Sequence, residues 1–292
     1  MNNNPTVKEL IIYPVKSCAG IKVQEALSTR YGLSLPSNPC LSDRRWMVVK
    51  NGRQLTQRQQ PKMALIQPSF VSDGLILKAP GIKDLKISMN PPPKEIIECI
   101  CWDAKINGKK YDIDVSNWLS TFLETPDLDL VYFDDQFEGR ICKDIIDPPN
   151  SARDYDVASY HDESPFHLDT MESFNDLNQR LKTPITIYNF RPNIIVQNVQ
   201  APYAEDYWRQ IQIGGAIMTW VTQCRRCLLP TVNQQTGITD PEQEPWKTLR
   251  SYRLKPEVYG VKAMFGLNLA PDIHGILHVG DEVKILKVDN NF

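Results

Sequence analysis

The residues best suited to do chemistry sit in one tetrad, Cys224-Arg225-Arg226-Cys227, in a chain of 292 residues with seven cysteines. A Cys-x-x-Cys pair has several readings: half of a zinc site, a dithiol redox pair, one functional thiolate beside a bystander, or two small core residues. Zinc needs two further soft or imidazole ligands, but the chain has no second such pair, Cys99 and Cys101 stand too close, and His274 and His278 lie in a strand-and-turn region. A thioredoxin-like pair needs a helix start to lower the thiol pKa, whereas Leu228-Leu229-Pro230-Thr231-Val232 is apolar, β-prone and broken by proline. What remains distinctive is the pair of guanidinium groups. Arg225 and Arg226 would favour Cys227 as thiolate and pair with phosphate oxygens, a setting that suits a phosphorylated cofactor carrying a soft metal.

The bulk of the sequence sets the background for that tetrad. Lys and Arg number 33 against 35 Asp and Glu, a formal charge of -2, so nothing in the overall balance attracts nucleic acid, and an anion site must be locally basic. Runs such as 10–15 and 214–221 are far shorter than the ~20 apolar residues of a transmembrane helix. Met1-Asn2-Asn3-Asn4-Pro5 lacks the basic and apolar regions of a secretory signal. An odd, scattered set of cysteines reads as reduced thiols, and the expected location is cytoplasmic.

The elements that must position the tetrad read as mostly strands. A strand is expected over 9–15, then a basic loop at Lys16-Ser17, and a second strand over 21–27. Others are expected over 45–49, 63–68, 75–78 and 85–89, divided by Asn51-Gly52, Asp73-Gly74 and Pro80-Gly81 turns. Helical spacing predicts an amphipathic helix over 114–128, with Ser116 as its cap, and the strand 128–133 follows it. The polar, proline-rich stretch 134–155 reads as a linker or long surface loop, which places a boundary near 135–150. In the second half a helix is expected over 171–181 and a strand over 194–199. A hairpin of 211–213 and 216–222 turns at Gly214-Gly215 and delivers the chain into the tetrad. A short helix over 245–252 and two short strands within 275–286 close the chain.

Taken in order, the segments Tyr13-Pro14-Val15-Lys16-Ser17-Cys18, Asp43-Arg44 with Trp46, Leu55-Thr56-Gln57-Arg58, Asp162 with Ser164-Pro165-Phe166, Asn189-Phe190-Arg191-Pro192-Asn193-Ile194 and Cys224-Arg225-Arg226-Cys227 resemble the MOSC family. That is the molybdenum cofactor sulfurase C-terminal domain with its N-terminal β-barrel partner. Thr231-Val232, Thr236-Gly237, Glu244-Pro245, Tyr252-Arg253, Phe265-Gly266 with Asn268, and Val279-Gly280-Asp281 extend the likeness over nearly the whole chain. Within the family the sequence is most similar to the amidoxime-reducing components of eukaryotes and their bacterial relatives.

The resemblance implies a β-rich α+β fold, with an N-terminal β-barrel-like domain at 5–135 packed on a MOSC β-barrel domain at 136–290 and a few flanking helices. It implies molybdenum-molybdopterin as cofactor, with Cys227 as the protein ligand to the metal. Lys16, Ser17, Arg44, Ser164, Arg191, Asn193, Arg225, Arg226 and Asn268 would hold the pterin and its phosphate, and Asp162 would lie beside the open metal position as a candidate proton relay or a structural carboxylate. The implied activity is reduction of small N-hydroxylated compounds (amidoximes, hydroxylamines, N-hydroxylated bases). Electrons would come from a separate protein, cytochrome b5 with its NADH-dependent reductase or a bacterial equivalent. The alternatives are a non-enzymatic cofactor carrier and a sulfur-transfer module with a persulfide on Cys227. Three positions depart from the family pattern: Arg225 where a small polar residue is usual, Glu163 where a small or hydroxyl residue is frequent, and Leu267 where glutamine is frequent.

Overall fold

The computed structural model describes residues 4–289. Strands dominate, as the alternating segments and frequent turns predict. Five of them, Trp46–Lys50, Arg53–Gln54, Glu95–Cys101, Ala104–Lys110 and Leu128–Tyr132, close into a barrel through a parallel bridge between Ile100 and Arg53. Side chains of a strand alternate between faces, and here both faces are buried. Trp46 and Val48 join one core cluster, while Met47 and Val49 join another with Cys99, Cys101, Phe133 and Tyr160.

The helix Ile113–Leu123 lays Val115, Leu119 and Leu123 on the first of these clusters. It starts earlier than its periodicity predicts, because Asp112 rather than Ser116 is the cap: the Asp112 carboxylate accepts from Val115 N–H at 3.3 Å. Ser116 is buried instead and donates to Asp129 at 2.8 Å. The expected strand over 63–68 is divided. Pro61 lacks an N–H and fixes φ near the helical value, so Pro61–Leu65 forms a 3-10 turn and the strand begins only at Gln67.

The second large element is an eight-stranded sheet in the spatial order Ile21–Val23, Thr6–Ile12, Ile194–Gln197, Phe166–Thr170, Ala263–Ile273, Ala216–Arg226, Trp208–Ile213, Val283–Val288. Phe166–Thr170 and Ile194–Gln197 run parallel, and the crossover between them carries the helix Met171–Arg180, whose first turn is capped by Thr170. The first strand of the chain pairs with Ile194–Gln197, Leu10 opposite Ile194. In return Ile276–His278 pairs with Glu25–Thr29 in a separate four-stranded sheet. Each half of the sequence thus lends a strand to the other. The expected single strand over 21–27 is in fact two, one in each sheet.

The stretch 134–155 is partly ordered by the strand Arg140–Ile141, paired with Val157–Ala158, and by the turn of helix Cys142–Ile145. No helix among the described residues is long and apolar enough to cross a membrane.

Candidate functional site

A cleft of about 690 Å³, within the range of small-molecule sites, collects loops from both halves of the chain. All the residues singled out by sequence line it: Lys16, Ser17, Arg44, Asp162, Ser164, Arg191, Asn193, Arg225, Arg226, Cys227 and Asn268. The loops are tightly made. Ser17, Arg44, Trp102 and Arg191 have φ of 66°, 46°, 59° and 59°, a left-handed conformation that costs a residue with a Cβ about 1–2 kcal/mol. Such strain persists where the surroundings hold it, and here Arg44 N–H donates to the Tyr13 carbonyl and Arg191 N–H to that of Tyr188.

The tetrad is shaped by the strand opposite. Ala216–Arg226 pairs with Ala263–Ile273, and the register slips between Gln223–Leu267 and Arg225–Met264, so that Phe265 and Gly266 together face Cys224. Gly266 has φ 77°, and a Cβ there would run into Asp169 and His167, so the bulge requires glycine. The bulge turns the Phe265 carbonyl toward Arg226, whose Nε and Nη2 donate to it at 2.9 and 2.6 Å. Arg226 also donates to the Phe190 carbonyl at 3.3 Å, to Asp169 Oδ1 at 3.3 Å and to His167 Nε2. His167 Nδ1 lies 3.1 Å from the Leu267 carbonyl and must therefore donate, which leaves Nε2 of the neutral ring as acceptor. Burial first, and the charge of Arg226, lower the His167 pKa and favour that neutral form against the pull of Asp169.

The two cysteines separate cleanly. Cys224 is partly buried and desolvation pushes its thiol up to about 12, whereas Cys227 is exposed in the cleft. Two N–H groups face the Cys227 sulfur, Leu229 N at 3.5 Å and Arg58 Nη1 at 3.6 Å. Arg58 in turn lies 4.1 Å over the Trp102 ring, and the Trp102 indole donates to Asp162 at 3.0 Å. Asp162 is paired with buried Lys16, whose ammonium also donates to the Tyr160 carbonyl at 2.7 Å. Desolvation opposes the charged form of Asp162, but Lys16, Arg58 and the Trp102 N–H outweigh it and hold the carboxyl well below the usual carboxylate range.

Arg44 and Arg191 share one wall, both stacked on Tyr13 with guanidinium carbons 4.6 and 4.3 Å from the ring centre. Arg44 is paired with buried Asp43 and donates to Asn193 Oδ1 at 3.2 Å. Asn193 is committed to the fold: its Oδ1 also accepts from His167 N–H, and its Nδ2 donates to the Ile11 carbonyl. Arg191 differs, since neither terminal nitrogen of its buried guanidinium has a partner. Burial and the nearby charge of Arg44 lower its pKa to about 10, which leaves it a cation at neutral pH.

Two of the departures from the family pattern meet in space. Arg225 Nη2 donates to Glu163 at 2.9 Å, and Asn268 Nδ2 donates to the other Glu163 oxygen at 2.6 Å. Asp147 joins them, accepting from Arg225 at 3.4 Å and from Lys262 at 2.9 Å. The third departure, Leu267, is a buried core residue.

Sequence reasoning gave no role to Trp102, His161 or His167, and quoted Arg58 only as part of a motif. His161 lies buried between Asp43 (3.0 Å) and Ser159 (3.1 Å). No local signal marks these residues, because Asp43, Arg226 and Asp162, which tie His161, His167 and Trp102 to the cleft, are distant from them in sequence. Among the described residues no group of three or more His, Cys, Asp or Glu could hold a metal alone, so the four-ligand zinc reading of the tetrad finds no support.

Comparison with known proteins bears on the whole chain. The model of the MOSC N-terminal beta barrel domain matches residues 4–126, and that of the MOSC domain matches 156–284. Mitochondrial amidoxime reducing component 2 of Rattus norvegicus is 37% identical, across 95% of this chain and 82% of its own. Mitochondrial amidoxime-reducing component 1 is 37% identical in Mus musculus (96% of this chain, 82% of its own) and 35% in Homo sapiens (96% and 83%). With both domains matched and that identity sustained along nearly the full length, the chain belongs to the amidoxime-reducing component family of MOSC proteins.

Proposed function

We propose that the cleft binds molybdenum-molybdopterin and that the protein reduces N-hydroxylated compounds with electrons from a separate donor protein. The observation that carries this reading is Arg191. A buried cation with unused donors is costly unless an anion meets it, and a phosphorylated cofactor brings one. The other residues fit the same group. Ser17, Arg44, Ser164, Arg225 and Asn268 present hydroxyl, guanidinium and amide groups to the same cleft, Arg226 lines it with its donors already engaged by the protein, and Asn193 sets the position of Arg44. Cys227, the exposed thiol of the tetrad, would be the metal ligand. When bound, the molybdenum centre supplies the two-electron redox step that N–O cleavage requires.

The chain's own contribution is to hold charge and protons. Reduction of R-NHOH to R-NH2 and water takes up two protons with two electrons. Lys16 is the buried cation nearest Asp162, and Asp162 is ionised at neutral pH. In this proposal Asp162 fixes Lys16 and Trp102 at the cleft mouth and passes protons inward only as a transient acid. The names of the relatives support amidoxime reduction; cytochrome b5 with its reductase, or a bacterial equivalent, is the proposed donor.

The test is molybdenum analysis combined with benzamidoxime reduction driven by a reduced dye. Loaded protein is expected to turn over, and none with any donor would sink the enzymatic reading in favour of a carrier. Cys227→Ala is expected to lose the metal while Cys224→Ala keeps it within about twofold; stoichiometric molybdenum in Cys227→Ala would overturn the ligand assignment. A sulfur added to Cys227, seen by mass spectrometry, would favour sulfur transfer.

A further inference from the structure

A second cavity, of about 250 Å³, is lined by Ser42 and Arg45, the residues that flank Asp43 and Arg44, together with Arg30, Cys40 and Asp135. It lies below the roughly 300–1,000 Å³ of pockets for larger ligands and suits a compact ion. Its wall is basic, with Arg30 and Arg45 against Asp135 alone. The Arg45 side chain is only 3% exposed and is held over the rings of Tyr132 and Phe133, 5.3 and 5.7 Å from their centres.

Two buried polar atoms on this wall have no hydrogen-bond partner: Nε of Arg45 and Oγ of Ser42. Buried donors of this kind are rare unless a ligand or water meets them. The carboxylate that lines the cavity is an exposed one. Asp135, 65% exposed, accepts from Arg45 Nη2 at 2.7 Å, and so occupies the seat an external oxyanion would take.

We propose that this cavity is a second oxyanion site, separate from the cofactor cleft, which takes inorganic phosphate or a compact carboxylate when Asp135 swings away from Arg45. Arg45 supplies the charge and the Nε and Nη2 donors, Ser42 a hydroxyl donor, and Arg30 long-range attraction at the rim. Cys40 is partly exposed on the same wall and reports occupancy.

The test follows alkylation of Cys40 by iodoacetamide in the full-length protein as purified, read on the Cys40 peptide so that Cys227 does not interfere. Phosphate, acetate and chloride are titrated at matched ionic strength. Saturable protection by phosphate or by acetate, but not by chloride, is expected, and the effective arm identifies the ligand as phosphate or carboxylate. Asp135→Asn, at an exposed position, should lower the half-saturating concentration by about threefold or more, the scale of one exposed ion pair, and Ser42→Ala should raise it. Absence of saturable protection, equal protection by chloride, or an unchanged midpoint in Asp135→Asn would show that only water fills the cavity and overturn the proposal. The Asp135 variant keeps the test decisive even if Ser42→Ala fails to fold.

Discussion

Arg226 and Arg191 line the same cleft and are buried to nearly the same degree, 8% and 6% exposed, yet their guanidinium groups are held in opposite ways. Arg226 is satisfied by the protein: two carbonyls, Asp169 and His167 accept its protons. Arg191 rests on the face of Tyr13 with both terminal nitrogens unpartnered. The donors of Arg226 are therefore spent on the fold, while the terminal nitrogens of Arg191 are left unspent. Identical side chains in one cleft can be told apart only by where their hydrogen bonds go.

The largest effect should come from Arg226. Arg226→Met would leave Asp169 buried without its cation and strip donors from the Phe190 and Phe265 carbonyls, for a loss of about 3–5 kcal/mol in urea unfolding of the cofactor-free protein. Arg191→Met should leave the cofactor-free protein within about 1 kcal/mol of wild type, or stabilise it, because an unpaired buried cation is removed. Its cost appears in molybdenum and pterin content, expected to fall about tenfold or more, the scale of a lost charged hydrogen bond. Should Arg191→Met destabilise the cofactor-free chain as much as Arg226→Met does, the contrast between the two arginines collapses.

A smaller effect concerns pH. His167 accepts from Arg226 as a neutral ring, and its folded pKa lies below the ordinary 6.5. The unfolded chain then binds the extra proton on acidification, so stability present above about pH 6.5 is lost as the pH falls. His161, also lowered by burial, acts in the same direction. Replacing His167 with Asn should flatten the dependence of unfolding free energy on pH between 7.5 and 5.5, by at most about 1.4 kcal/mol per pH unit. Equal slopes in variant and wild type would show that His167 does not titrate against Arg226.

Some of this architecture was legible from local signals. The hairpin Trp208–Ile213 and Ala216–Arg226 was readable because alternating side chains flank Gly214-Gly215, and the helix Met171–Arg180 because Phe174 and Leu177 recur at helical spacing. The partner strand Ala263–Ile273 was not readable. It is buried on both faces from Ala263 to Ala270 and so lacks alternation, while Gly266 and Pro271 look like breaks. The hairpin Glu95–Cys101 and Ala104–Lys110 was hidden for a different reason: its turn is made by Trp102 in a left-handed conformation, without the glycine or asparagine that would announce it. That turn brings Trp102 to Arg58 and Asp162, so the missed element and the missed site residue are the same.

The sequence by itself determined which residue types were available, and the cleft gathers those it singled out together with Trp102, His161 and His167, to which it gave no role. Family motifs carry residue types in order, and types set what charges and donors are available. Only the tertiary structure decided how each is used. The Gly266 bulge turns a carbonyl to Arg226, Ile11 and His167 claim the amide of Asn193, and no group accepts from the terminal nitrogens of Arg191. Hydrogen-bond partners come from backbone groups and from strands far apart in the chain, so a residue's satisfaction is a property of the fold rather than of its neighbours in sequence.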